Sequence, residues 1–233
     1  MSATPMASAG LIGSTGLVGS HILNSLLASS AISHVNTFSR RLPQVESSKL
    51  TAFASKEAPQ WASQIGNLPA PALFFSSFGT TRSAAGGFEN QYNIEHGLHL
   101  ELARAAKQAG SRIFVLISSS HANHQSSIPY ARMKGEIEED IKGLDFEKTV
   151  ILRPGVVTGD RKESRPAETV ARYLLGAVGR VNTSWKDSLA QDADVIAQAA
   201  INAGLRALKG DCAPGNQRVW ILDGREIIEI GRR

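Results

Sequence analysis

The stretch LIGSTGLVGSHI, residues 11–22, sets glycines at positions 13, 16 and 19 and then runs at once into an apolar helical pattern. A strand-to-helix turn that binds a dinucleotide excludes a Cβ atom three times: at a sharp turn, at a close approach of backbone to phosphate, and at a tight helix-to-strand contact. Gly13, Gly16 and Gly19 together supply these three requirements. Ser14, Thr15, Leu17 and Val18 fill the places between, so residues 13–19 form a candidate phosphate loop. The helix beyond aims its first N–H groups and its positive dipole end at that loop, which suits a pyrophosphate. A lone glycine triplet is weak, but this one has the strand-turn-helix context that the fingerprint requires.

Outward from this turn, β-rich runs alternate with helical periodicity. Strands are expected at 9–12, 35–39, 50–54, 72–75, 112–118, 147–153 and 218–222, and helices at 16–28, 90–109, 130–142, 168–178 and 194–209. Such alternation argues for a parallel sheet with crossover helices. The segments 43–48, 57–71 and 211–216 read as loops. The expected fold is α/β, a doubly wound parallel sheet of the Rossmann type. Residues 1–233 read as one domain, with 159–215 covering the substrate side.

The composition is that of a globular chain. At 233 residues, with 42% hydrophobic and 20% charged residues, it lies far from the composition of disordered chains. Its formal charge is only +4, and no basic run exceeds a pair of residues, so no nucleic-acid partner is expected. The single Cys212 cannot form an internal disulfide and has no His or Cys at metal-ligand spacing, so no metal is expected. The apolar runs 72–75 and 113–117 are far shorter than the roughly 20 residues of a spanning helix. The opening MSATPM shows neither a transit-peptide nor a secretory-signal pattern, so no removable address is expected and the chain by itself reads as cytoplasmic.

The end of the second expected strand reads Phe38-Ser39-Arg40-Arg41. An acid about 20 residues past the glycines would hydrogen-bond a ribose 2′-hydroxyl, whereas Arg accommodates a 2′-phosphate. Here no acid is present, and Arg40 and Arg41 offer two guanidinium forks suited to phosphate. The expected cofactor is NADPH.

Within IFVLISSSHANHQSSIPYARMKGEIEED, residues 113–140, a buried strand carries Ser118, Ser119 and Ser120 to its carboxyl end. Ligands bind at that edge of an open α/β sheet. Tyr130 and Lys134 follow at helical i, i+4 spacing, which puts them on one face. A phenol, with a reference pKa of about 10, is a poor acid-base group near neutrality, and the neighbouring ammonium is expected to lower it. His121 and His124, in the loop between, are candidates on the substrate side, with a reference pKa of about 6.5 suited to proton exchange.

Together GSTGLVGSHI, SRR, FGTTR (78–82), ISSS, YARMK and ILRPGVVTG (151–159) resemble an atypical branch of the short-chain dehydrogenase/reductase superfamily. Within it the chain is similar to the fungal mitochondrial-proteome family of NADP-binding proteins, itself similar to the mammalian Tat-interacting oxidoreductase. The likeness runs from about residue 7 to 232. It implies a Rossmann core binding NADPH, a catalytic set of Ser119, Tyr130 and Lys134, and peripheral association with the mitochondrial outer membrane. By the same resemblance, Phe78, Gly79, Thr80 and Thr81 lie along the adenosine and ribose side of the cofactor, and Pro154, Gly155, Val156 and Val157 flank the nicotinamide. Tyr130 and Lys134 also contact the cofactor, Ser120 is the alternative to Ser119, and Asn93 falls near the active-site helix. The implied activity is hydride transfer to a carbonyl or conjugated double bond of a small molecule. Two other classes fit the same residues: an NADPH-bound regulatory or scaffold protein without turnover, and a non-redox isomerase or cyclase. The sequence leaves monomer and homodimer both open.

Overall fold

The computed structural model describes residues 6–158, 190–211 and 217–232. The chain enters through β1 (Ala7–Ile12), turns at the glycines into α1 (Leu17–Ala28), and returns as β2 (Ile32–Ser39) and β3 (Leu50–Ala54). Helix α2 (Ala58–Asn67) crosses to β4 (Leu73–Ser76). Short helices α3 (Arg82–Ala85) and α4 (Phe88–Tyr92) then lead through a π-helical turn, Asn93–Gly97, into α5 (Leu98–Ala109) and β5 (Ile113–Ile117). After α6 (Pro129–Gly143) and β6 (Lys148–Leu152) come β7 (Val156–Thr158), β8 (Ala190–Asp192), α7 (Ala193–Leu208), β9 (Val219–Leu222) and α8 (Gly224–Gly231).

Seven strands form one sheet in the order β3-β2-β1-β4-β5-β6-β9, with every neighbouring pair parallel. The chain winds outward from β1 to β3, then jumps back to β4 on the other side of β1. That reversal opens a crevice at the carboxyl ends of β1 and β4, which is where ligands bind in open α/β sheets. Strand side chains alternate between faces with a period of two. On β4, Leu73 and Phe75 face α1, α7 and α8, whereas Phe74 faces α2, α5 and α6. Phe38, Phe74, Phe114 and Phe146 run across this second face with successive ring centroids 6.3, 5.8 and 5.0 Å apart. Each ring is essentially shut from water, and burying one contributes about 1.5–3 kcal/mol.

The sheet agrees with the doubly wound expectation, and four local readings need correction. Segment 57–71, expected to be a loop, contains α2, whose Trp61 and Ile65 form a buried i, i+4 pair. The expected helix 90–109 is divided by the π-helical turn at Asn93–Gly97. The expected substrate-side cover, 159–215, is not uniform: α7 packs against α1 and α8 in the core behind the sheet. Residues 159–189, with the expected helix 168–178, lie outside the described residues, as does Cys212. The C-terminal α8 had no counterpart in the sequence reading. It begins with a capping box in which Asp223 accepts from the Arg225 and Glu226 amides and Glu226 accepts from the Asp223 amide, each at 2.9 Å.

Candidate functional site

The phosphate turn is built on two glycines that cannot be replaced without displacing backbone. Gly13 has φ +83°, in the left-handed region, and a Cβ there would stand 2.7 Å from the Ser77 carbonyl carbon. A Cβ on Gly19 would stand 2.0 Å from the Gly13 carbonyl oxygen, so α1 packs directly on the turn. Gly16 caps α1 without a side-chain acceptor, and no acid stands in the first turn, so nothing negative competes for that helix end. The Ser14 hydroxyl is buried and has no hydrogen-bond partner. An open helix N-terminus, a Cβ-free cradle and an orphaned hydroxyl together fit a dinucleotide pyrophosphate. Thr15 is exposed, and Leu17 and Val18 are half-buried.

Arg40 and Arg41 are exposed immediately beyond β2, on the same edge of the sheet. The Ser39 hydroxyl donates to the Arg41 carbonyl at 2.6 Å, which shapes the exit of the strand. Beyond β4, Phe78 packs on His99 with ring centroids 5.6 Å apart, and Thr81 caps α3 by accepting from the Ala84 amide. Gly79 is exposed and Thr80 half-buried between them. Beyond β6, the Pro154 carbonyl accepts from the Ser120 amide at 2.8 Å, and the Gly155 amide donates to Gln191 at 2.7 Å. Val156 and Val157 then pair with β8 in a small parallel sheet.

The structure brings Ser119, Tyr130 and Lys134 together. Ser119 follows β5 with its hydroxyl near enough to the Tyr130 phenol to act on its pKa, and Lys134 lies one helical turn beyond Tyr130 on α6. Ser120 instead pairs with the His121 ring at 2.9 Å and is exposed. Tyr130 keeps 44% of its surface open while enough protein surrounds its hydroxyl for desolvation to dominate. Desolvation first, and the Glu95 carboxylate second, push the phenol up to about 12, with Ser119 pulling the other way. The expected lowering by Lys134 is therefore overturned in this chain.

Burial is the main reason, and the second is Glu95, which the sequence reading passed over in favour of Asn93. Asn93 is exposed, whereas Glu95 lies buried on the π-helical turn with its Oε2 3.7 Å from the equally buried Lys134 Nζ. Its Oε1 accepts from the Thr80 amide at 3.1 Å and from Gln91 at 3.0 Å, and Gln91 also donates to the Thr80 carbonyl. His99 donates from Nδ1 to the Glu95 carbonyl at 2.6 Å, since a carbonyl can only accept. Full burial, with the Lys134 charge nearby, pulls His99 down to about 3, so it is neutral.

A second buried network holds the serine strand. Ser118 donates to Glu138 at 2.5 Å, and Glu138 is also gripped by Arg153 at 2.6 Å. The histidine loop lies against α6: a Cβ on Gly135 would stand 2.1 Å from the His124 amide. His124 is exposed, and its nearest acidic group is Glu139 at 3.9 Å. Among the described residues no cluster of three His, Cys, Asp or Glu could hold a metal ion.

No family model matches the chain. Curated relatives do. A protein named "Protein fmp52-1, mitochondrial" from Aspergillus terreus is 60% identical over 231 residues, covering 97% of this chain and 100% of the relative. "Protein fmp-52, mitochondrial" from Neurospora crassa is 44% identical and covers 100% of this chain and 98% of its own. Among solved structures, a short-chain dehydrogenase from Burkholderia cenocepacia in complex with NADP matches with TM-score 0.66 at 15% identity, over 97% of this chain and 92% of that one. A Thermotoga maritima UDP-glucose 4-epimerase with UDP-glucose matches with TM-score 0.64 at 12% identity, over 97% of both chains. Likeness at this identity speaks to the fold, and the close relatives speak to the family. The chain belongs to the fungal Fmp52 family of proteins named mitochondrial, and it is built on the Rossmann-type fold that it shares with these solved structures.

Proposed function

We propose that the protein is an NADPH-dependent oxidoreductase that reduces a carbonyl or conjugated double bond of a small molecule. What supports this reading is that Ser119, with Tyr130 and Lys134 on the helix that follows, lies beyond the carboxyl end of β5 in the same parallel sheet whose β1 ends in a turn shaped for pyrophosphate. Bound NADPH would supply the hydride. Residues 13–19 would hold the pyrophosphate and Arg40 with Arg41 the 2′-phosphate, while Phe78–Thr81 and Pro154–Val157 would line the two ends.

Ser119 would donate a hydrogen bond to the reacting oxygen and keep it beside the Tyr130 hydroxyl. Tyr130 would release its proton to that oxygen as negative charge develops. Lys134 would hold the ribose and stabilise the phenolate left behind. A neutral Tyr130 at physiological pH suits the reducing direction, since the acid begins with its proton in place.

Naming of the relatives as mitochondrial supports a mitochondrial location. No helix among the described residues is long and apolar enough to cross a membrane. Attachment to the outer membrane would then be peripheral and removable by a carbonate wash. NADPH oxidation across a panel of aldehydes, ketones and enones tests the chemistry: substrate-dependent oxidation supports it, and binding without turnover favours a regulatory role.

A further inference from the structure

The Glu95 carboxylate occupies an unusual place. It is shut from water, yet it joins the segment after β4 to the lysine of α6: one oxygen accepts from Thr80, the other faces Lys134. Burial of a lone carboxylate is costly, and so is burial of a lone ammonium; each is tolerable here because the other is present. From α6, Lys134 stands 3.7 Å from Glu95 with Tyr130 one turn before it on the same helix, and from α5 comes the neutral His99. His96, the next residue on the turn, is paired with Asp140 of α6 at 2.7 Å. Segment 77–81 brings amides and hydroxyls but no ionisable side chain.

We propose that Glu95 is a positioning residue that fixes Lys134 beneath the segment after β4 and keeps Tyr130 in its proton-donor form. This deepens the reductase reading and rests on it only for its consequence in turnover. With Glu95 ionised, the charge of Lys134 is balanced and the phenol keeps its proton. Without it, an uncompensated ammonium one turn away favours the phenolate, the form that accepts a proton from an alcohol. Glu95 thereby loads the site for reduction rather than for alcohol oxidation, and it ties that loading to the segment expected to lie along the cofactor.

The test is a titration of Tyr130 itself in the cofactor-free full chain. Of the three tyrosines, Tyr92 and Tyr173 are replaced by Phe, and the remaining one is biosynthetically labelled as fluorotyrosine, whose lower intrinsic pKa keeps the midpoint in a range where the protein stays folded. Fluorine resonance then reads the phenol directly. Glu95→Gln should lower the midpoint by about one pH unit or more. Adding Lys134→Met should reverse most of that fall. An unchanged midpoint in Glu95→Gln, or no reversal in the double variant, overturns the proposal. Should Glu95→Gln alone fail to fold, the neutral pair Glu95→Gln/Lys134→Met is compared with Lys134→Met, which leaves a lone carboxylate beside the phenol. The neutral pair should titrate lower, and equal midpoints overturn the proposal. The titration needs neither cofactor nor turnover, so its failure leaves the reductase reading standing and an inactive enzyme leaves its result standing.

Discussion

The Gly13 carbonyl oxygen lies where a Cβ on Gly19 would come within 2.0 Å of it, so the first helix rests on the phosphate turn with no space for a methyl group. Gly19→Ala should push α1 off the turn. Overpacking of this kind destabilises by about 1–3 kcal/mol, and the displaced helix end should also weaken dinucleotide binding. Thermal denaturation with and without NADPH checks both, and a variant with wild-type stability and affinity would contradict the geometry.

Arg40 and Arg41 stand at the end of β2 in place of an acid, so NADPH should bind at least about tenfold more tightly than NADH. Calorimetric titration of both cofactors is the measurement. Arg40→Ala/Arg41→Ala should bring the two affinities together by weakening NADPH, with little change for NADH.

Glu138 is fully buried and satisfies both Ser118 and Arg153. Removing one partner of a buried pair leaves the other charge stranded, so Glu138→Ala should cost about 3 kcal/mol of stability in a denaturant titration. Because Ser118 adjoins Ser119, turnover of the folded variant should fall as well.

His99 is buried and neutral, with its pKa pulled down to about 3 mainly by desolvation. Unfolding releases it to an ordinary value, so the unfolded chain binds the extra proton as the medium acidifies. Its contribution is intact above about pH 6.5 and is lost as the pH falls toward about 3. Between about pH 6 and pH 4 the wild type should lose about 1.4 kcal/mol per pH unit more than His99→Leu does. Parallel stability curves would contradict this assignment.

Much of the sheet was legible because its signals are local: short β-rich apolar runs, glycines at the first turn, and serines at the end of a buried strand. The site was legible where two residues share a helix face, as Tyr130 and Lys134 do. Helix α2 was hidden by its flanking prolines and Gly66, although Trp61 and Ile65 carried the i, i+4 signal. Glu95 was hidden for a different reason. Its meeting with Lys134 joins elements distant in sequence, and the π-helical turn alters the facing that a regular helix would give Asn93–Gly97. The direction of the Tyr130 shift was misread as well, since the spacing on one helix shows the ammonium but neither the burial that dominates the shift nor the carboxylate brought in from another element. The seat of the histidine loop on Gly135 is likewise a tertiary contact, with no trace in the spacing of α6.

Transfer of deuteride from NADPH deuterated at the reacting nicotinamide carbon, followed into product by mass spectrometry, tests the reduction most directly. On its true substrate the wild type should place deuterium in the product. Tyr130→Phe should keep NADPH affinity while label transfer falls by roughly 10²- to 10⁴-fold, the loss typical of an absent general acid. Label transfer at the wild-type rate in Tyr130→Phe would contradict the assignment of the proton to this phenol. Tight NADPH binding with no label in any product would contradict the reductase reading itself.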